Sequence, residues 1–145
     1  MLAGQVLKKQ TDSLIRLNPK AKLFIMGDFN DEPNDNSLTQ ALGVNMDSDE
    51  KDHGYLFSLS ASDFRSGKGT LVYKEIDNTW FLFDQMIVSS SLIEGDGVSC
   101  PTENSIFMED WLLKKGKPYR TYQGPVYLGG FSDHLPIFID LQFKK

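Results

Sequence analysis

Hydrophobic and polar positions recur along the chain with two periods. From residue 2 to 17, Ala3, Val6, Leu7, Leu14 and Leu17 fall at helical spacing with Lys8, Lys9, Asp12 and Arg16 between them, which predicts an amphipathic helix. Asn18-Pro19 stops it. Lys22 to Met26 ends in a short apolar run and reads as a buried strand. Gly27 lets the backbone leave that strand freely, and Asp28 and Asn30 follow on either side of Phe29. If the backbone stays extended through Asn30, alternation points both polar side chains one way and Phe29 the other. Asp31 to Asn36 form a polar turn. Asn36 or Ser37 can cap a short helix through Leu42. Residues 43–54 read as a solvated loop, and Tyr55 to Leu59 returns to the core.

The second half of the chain reads mainly as strands. Thr70 to Glu75 and Thr79 to Ser89 predict a hairpin turning at Ile76-Asp77-Asn78. Its second arm, Trp80 to Val88, is apolar on both faces, as in a strand at the centre of a layered fold. Asp84 interrupts that arm, and a buried carboxylate needs a partner. Ser89 to Ser91 end it. Ser105 to Met108 predicts a short strand and Asp110 to Lys115 a helical turn, while 116–131, rich in glycine and aromatic residues, reads as a long loop of the kind that carries function. From Leu135 to Phe143, apolar and other residues alternate as in a strand. Neither an internal repeat nor a linker divides the 145 residues, which suit one domain or part of one.

Charge and composition narrow the classes. A net charge of −5 argues against tight, non-specific binding of duplex nucleic acid, which needs a basic face. The basic cluster is Lys114, Lys115, Lys117 and Arg120, interleaved with Tyr119 and Tyr122, and it reads more readily as a solvated loop than as a groove. The acidic balance leans toward a small phosphoester, a lipid head group or a sugar phosphate. A single cysteine, Cys100, excludes an internal disulfide and a cysteine metal cluster. No run is long and apolar enough to predict a membrane-spanning helix, and the compartment stays open.

Three polar groups remain: Asp28 with Asn30, Asp84, and Asp133 with His134. Each alone has a bland reading as a turn or a structural partner. Together, two carboxylates, a carboxamide and an imidazole suit phosphate-ester hydrolysis. Gly27-Asp28-Phe29-Asn30, then Asp84-Gln85-Met86-Ile87-Val88-Ser89, then Ser132-Asp133-His134-Leu135-Pro136 resemble, in order and spacing, the C-terminal half of the endonuclease/exonuclease/phosphatase superfamily. That superfamily includes deoxyribonuclease I, apurinic endonucleases, sphingomyelinases and inositol polyphosphate 5-phosphatases.

The resemblance implies an α/β fold, half of a four-layer α/β/β/α sandwich, with one mixed, mostly antiparallel sheet and helices on one face. Residues 1–145 would be the C-terminal portion of the domain. It also implies roles. Asp28 would orient or deprotonate the attacking water, and Asn30 would hydrogen-bond a non-bridging phosphate oxygen. Asp133 would contribute to a site for Mg²⁺ or Mn²⁺. His134 would sit against the scissile phosphate, with Asp84 holding its ring. Further Asn and Glu metal ligands are expected from an N-terminal half, so the chain alone is expected to hydrolyse a phosphodiester negligibly. The alternative is a non-catalytic binding or assembly module that keeps the fold. A sheet face carrying some of Phe24, Met26, Phe81, Phe83, Ile137 and Ile139 is expected to be bare, and to close by homo-oligomerisation.

Overall fold

The computed structural model describes residues 1–47, 56–73, 79–95 and 97–144. The order is α1 (Leu2–Leu17), β1 (Phe24–Asp28), a π-helix (Ser37–Leu42), β2 (Val44–Asn45), β3 (Leu56–Ser58), α2 (Ala61–Arg65), β4 (Leu71–Tyr73), β5 (Thr79–Phe81), β6 (Asp84–Ser89) and α3 (Ser90–Glu94). Then follow β7 (Val98–Ser99), β8 (Ser105–Ile106), a 3₁₀ turn (Asp110–Leu112), β9 (Leu113–Lys114), β10 (Lys117–Pro118), β11 (Tyr122–Gln123), β12 (Val126–Tyr127), β13 (Ile137–Phe138) and β14 (Gln142–Phe143). The fold is α/β. Its main sheet has the order β1-β6-β3-β2, antiparallel except for the β2–β3 pair.

β6 is the buried spine of this sheet, and alternation along it sorts two cores. Ile87 faces Leu38, Leu42, Val44 and Leu56, with Leu7, Ile15, Ile25 and Phe29 packed around them. Met86 and Val88 face Phe57, Leu59, Leu92 and Cys100, with Val98, Ile137 and Ile139 over them. The expected segregation of helices to one face holds for α1 and the π-helix. α3 departs from it, because Leu92 sits in the opposite core.

Several expectations shift. In α1 Thr11 is buried and Leu7 and Ile15 are half-buried, whereas Val6, Leu14 and Leu17 are exposed. The close approach of the π-helix sets this rotation: a Cβ on Gly4 would lie 2.4 Å from the Ser37 carbonyl oxygen. The arm expected as one strand from Trp80 to Val88 divides at Leu82-Phe83. β5 pairs with β4, and β6 pairs with β1 and β3, so the chain changes sheets between them. The Asp-Asn turn expected at 76–78 lies outside the described residues, as do 48–54 and Tyr55. Leu135 to Phe143 forms two short ladders, β13 with β8 and β14 with β7, rather than one strand. The long loop of 116–131 contains the hairpin β11–β12 and the second strand of the hairpin β9–β10, which begins before it at Leu113.

The face expected to be bare is half covered. Ile137 and Ile139 are packed onto the Met86–Val88 core, and Phe81 and Phe83 are sheltered in an aromatic trio with Tyr73. Phe24 at 37% and Met26 at 69% exposure, on the edge strand β1, are what stays open.

Candidate active site

Asp28 ends β1 and Asp84 begins β6, and the two are directly opposite in the antiparallel register. Both therefore stand at one end of the sheet. Gly27 reaches that end with φ +143°, a conformation that side chains other than hydrogen resist. The strand stops at Asp28, and Asn30 takes the left-handed region at φ 52°. The condition for Asp28 and Asn30 to share a side, extended backbone through Asn30, is therefore not met. Instead Asp28 Oδ1 accepts a hydrogen bond from the Asn30 backbone N–H at 2.9 Å, a local turn that Asp and Asn both favour. Phe29 N–H donates to the Phe83 carbonyl at 2.9 Å, and its ring packs toward the helical core. Both polar side chains of the turn are exposed.

Asp84 finds the expected partner. Its Oδ2 lies 2.7 Å from His134 Nδ1, both side chains being about four-fifths buried. His134 reaches it from a loop ahead of β13, not from a neighbouring strand. The Thr70 hydroxyl donates to the same Asp84 oxygen. Burial pushes the Asp84 carboxyl up, but the hydrogen bonds from His134 and Thr70 outweigh it and hold the group below the usual carboxylate range. The hydrogen bond with Asp84 raises His134 above the usual imidazole range; burial opposes this, and the charges of Asp84, Asp133 and Asp28 reinforce it. Each member of the pair thus favours the charged form of the other.

Thr70 is a residue the sequence does not flag, since it reads only as the start of a strand. It is fully buried and bonded on three sides. Its N–H donates to Phe81 and its carbonyl accepts the Leu135 N–H, each at 2.8 Å. One residue thereby fixes Asp84 directly and fixes His134 through the backbone of the next residue. Gln85 is a second one: its buried amide donates to Leu82 at 2.7 Å and Asp31 at 3.2 Å, tying the Asp28 turn to the start of β6. Ser132 completes the His134 loop by accepting the His134 N–H at 3.1 Å.

Asp133 is exposed beside His134. Among the described residues, no three His, Cys, Asp or Glu side chains converge enough to hold a metal ion by themselves. The carboxylates near His134 suit a hard cation only where water and substrate phosphate complete its shell. No curated protein and no solved structure matches the chain at a significant level. The model of the endonuclease/exonuclease/phosphatase family matches residues 1–143, and the chain belongs to that family.

Proposed function

We propose that this chain carries the proton-handling end of a metal-dependent phosphoesterase. Family membership supports phosphoester hydrolysis as the general chemistry, commonly with a divalent metal. The observation that carries the specific reading is the Asp84–His134 contact, placed at the sheet end where Asp28 also stands. Asp84 fixes the His134 tautomer and favours its charged form. The outer ring nitrogen then donates to a phosphoryl oxygen, where negative charge grows during attack. Asp28 orients the attacking water and accepts its proton, and the Asn30 carboxamide donates to a non-bridging oxygen. Asp133 contributes one ligand to Mg²⁺ or Mn²⁺, which when bound would stabilise charge on the phosphate.

The carboxylates here are too few to fix that cation tightly by themselves, so turnover by the chain is expected to be slow. The test is nitrophenol release from bis(4-nitrophenyl) phosphate by the 145-residue chain with and without Mg²⁺. Slow turnover that needs Mg²⁺ and falls about a hundredfold or more in His134→Ala is expected. Absence of turnover, or turnover unchanged in His134→Ala, would overturn the reading in favour of a non-catalytic binding module.

A further inference from the structure

α1 has a second apolar face. Its Leu7 and Ile15 pack against the helical core, and its Gly4 lies against the π-helix at Ser37. Leu2, Val6, Leu14 and Leu17 point away from both, at 75, 55, 50 and 80% exposure. At about 100° per residue these four share an arc of about 120°, so they form one stripe. Single exposed apolar residues are ordinary, whereas a stripe along a whole helix marks an interaction surface. On one side the stripe runs into the core at Leu7. On the other, Lys9 and Arg16 border it, both exposed.

Charge is distributed unevenly about this face. Residues 1–22 hold five Lys and Arg against one acid, Asp12, and the rest of the chain holds ten against nineteen. Two of the five are engaged inside the fold or along the helix. Lys8 pairs with Asp12 at 3.1 Å, and Lys22 donates to the Ser91 and Val98 carbonyls at 3.0 and 3.3 Å. Among the described residues, Lys9 and Arg16 enter no ion pair. They are the two cations that flank the stripe. A basic amphipathic helix with its apolar side turned outward is therefore set on an otherwise acidic body.

We propose that α1 docks the protein flat on an anionic lipid surface, with Leu2, Val6, Leu14 and Leu17 in the boundary between headgroups and acyl chains. The stripe is wholly aliphatic, whereas protein-binding hot spots favour Trp and Tyr over Leu and Val. Lysine is also depleted from protein interfaces. A bilayer accepts both features: the aliphatic side chains enter it, and Lys9 and Arg16 extend their stems to the headgroup phosphates. The acidic remainder of the chain is repelled by the same surface, so the helix faces the lipid and the body faces water. No helix is long and apolar enough to cross a membrane, so α1 lies on the surface and does not span it. The first turn of α1 lines a cavity of about 110 Å³ with Phe29 and Asp31, so a docked helix holds the Asp28 turn near the lipid. The proposal stands apart from the phosphoesterase reading.

The test is co-sedimentation of the full chain with vesicles of equal parts phosphatidylglycerol and phosphatidylcholine, and with vesicles of phosphatidylcholine alone. Wild type is compared with Val6→Gln/Leu17→Gln, Lys9→Gln/Arg16→Gln and, as a control on the other open apolar patch, Met26→Gln. All four substituted side chains of α1 face solvent, so the variants are expected to fold, which thermal unfolding checks. Wild type is expected to bind the anionic vesicles about tenfold or more tightly than the neutral ones, and each α1 variant about tenfold more weakly than wild type. Met26→Gln is expected to stay within about threefold of wild type, and about 1 M salt to remove most of the binding. No binding to the anionic vesicles, or binding that ignores both α1 variants, would overturn the proposal. Binding lost in Met26→Gln as fully as in the α1 variants would overturn it too. Self-association abolished by the α1 variants, without vesicle binding, would assign the stripe to a second copy instead. Because no turnover is read, each of these failures leaves the phosphoesterase reading untouched.

Discussion

Asp84 is the residue on which the site turns, and it is held by two donors. His134 and Thr70 both reach its Oδ2. Removing the Thr70 hydroxyl leaves a largely buried carboxylate short of one hydrogen bond, a loss of about 1–3 kcal/mol. Thr70→Val is therefore expected to destabilise by that amount in urea denaturation, with Thr70→Ser close to wild type. Loss in Thr70→Ser with none in Thr70→Val would mean that the methyl packing, not the hydroxyl, matters. The charges give a pH signature. Asp84 lies below its usual range, so its contribution is complete above about pH 4 and fades as pH falls through the lower folded value. His134 lies above its range, so its contribution is complete below about pH 6.5 and fades as pH rises through the higher folded value. The stability gap between wild type and Asp84→Asn should be widest between those limits. A gap constant from about pH 4 to pH 9 would contradict the ion pair.

At the scale of elements, the chain positions its chemistry by interrupting strands. The buried apolar run around Asp84 was legible in the sequence, and so was the need for a partner. The break at Leu82-Phe83 was not, because the apolar run continues from β5 through Leu82 and Phe83 toward β6, and the change shows only in which strands the two pair with. That break moves Asp84 from mid-strand to the first residue of β6. Likewise the Asp28–Asn30 turn was legible as polar residues at a strand end. The left-handed Asn30 was not, since Asn in a strand or in a turn reads alike. Thr70 escaped notice because a buried threonine at a strand start carries no periodic signal. Glycines test the account here. Gly27→Ala meets open space but an unfavourable φ, so backbone strain alone should cost about 1–3 kcal/mol. Gly130→Ala meets the Tyr119 carbonyl and should cost at least as much, with lost amide protection across 119–131 in hydrogen exchange. Full protection in Gly130→Ala would show that residues 119–131 are not packed in this way.

At the scale of the molecule, the open apolar regions among the described residues include two away from α1. One is Phe24 and Met26 on the edge strand β1. The other is an edge-to-face aromatic group in which Trp111 stands 6.3 Å from Phe107 and 5.2 Å from Phe131. Exposed apolar groups beside an unpaired strand edge favour association, and we propose a homo-oligomer closed through β1. Sedimentation at micromolar concentration is expected to show an assembly that Met26→Lys dissociates; a strictly monomeric wild type would count against it. The family and the α/β class were legible because three short motifs keep their order. The second core was not, because it is built by α3 and by residues 98–100 and 137–139, whose patterns are too short to reveal which face they cover. The most direct test of the whole account is the titration of His134, followed by the ring signals of the imidazole in NMR, with and without diethyl phosphate. The account predicts a pKa above the ordinary imidazole value in the wild type, a fall toward that value in Asp84→Asn, and movement of the His134 signals when the diester is added. An ordinary pKa unchanged by Asp84→Asn, with no response to the diester, would contradict it.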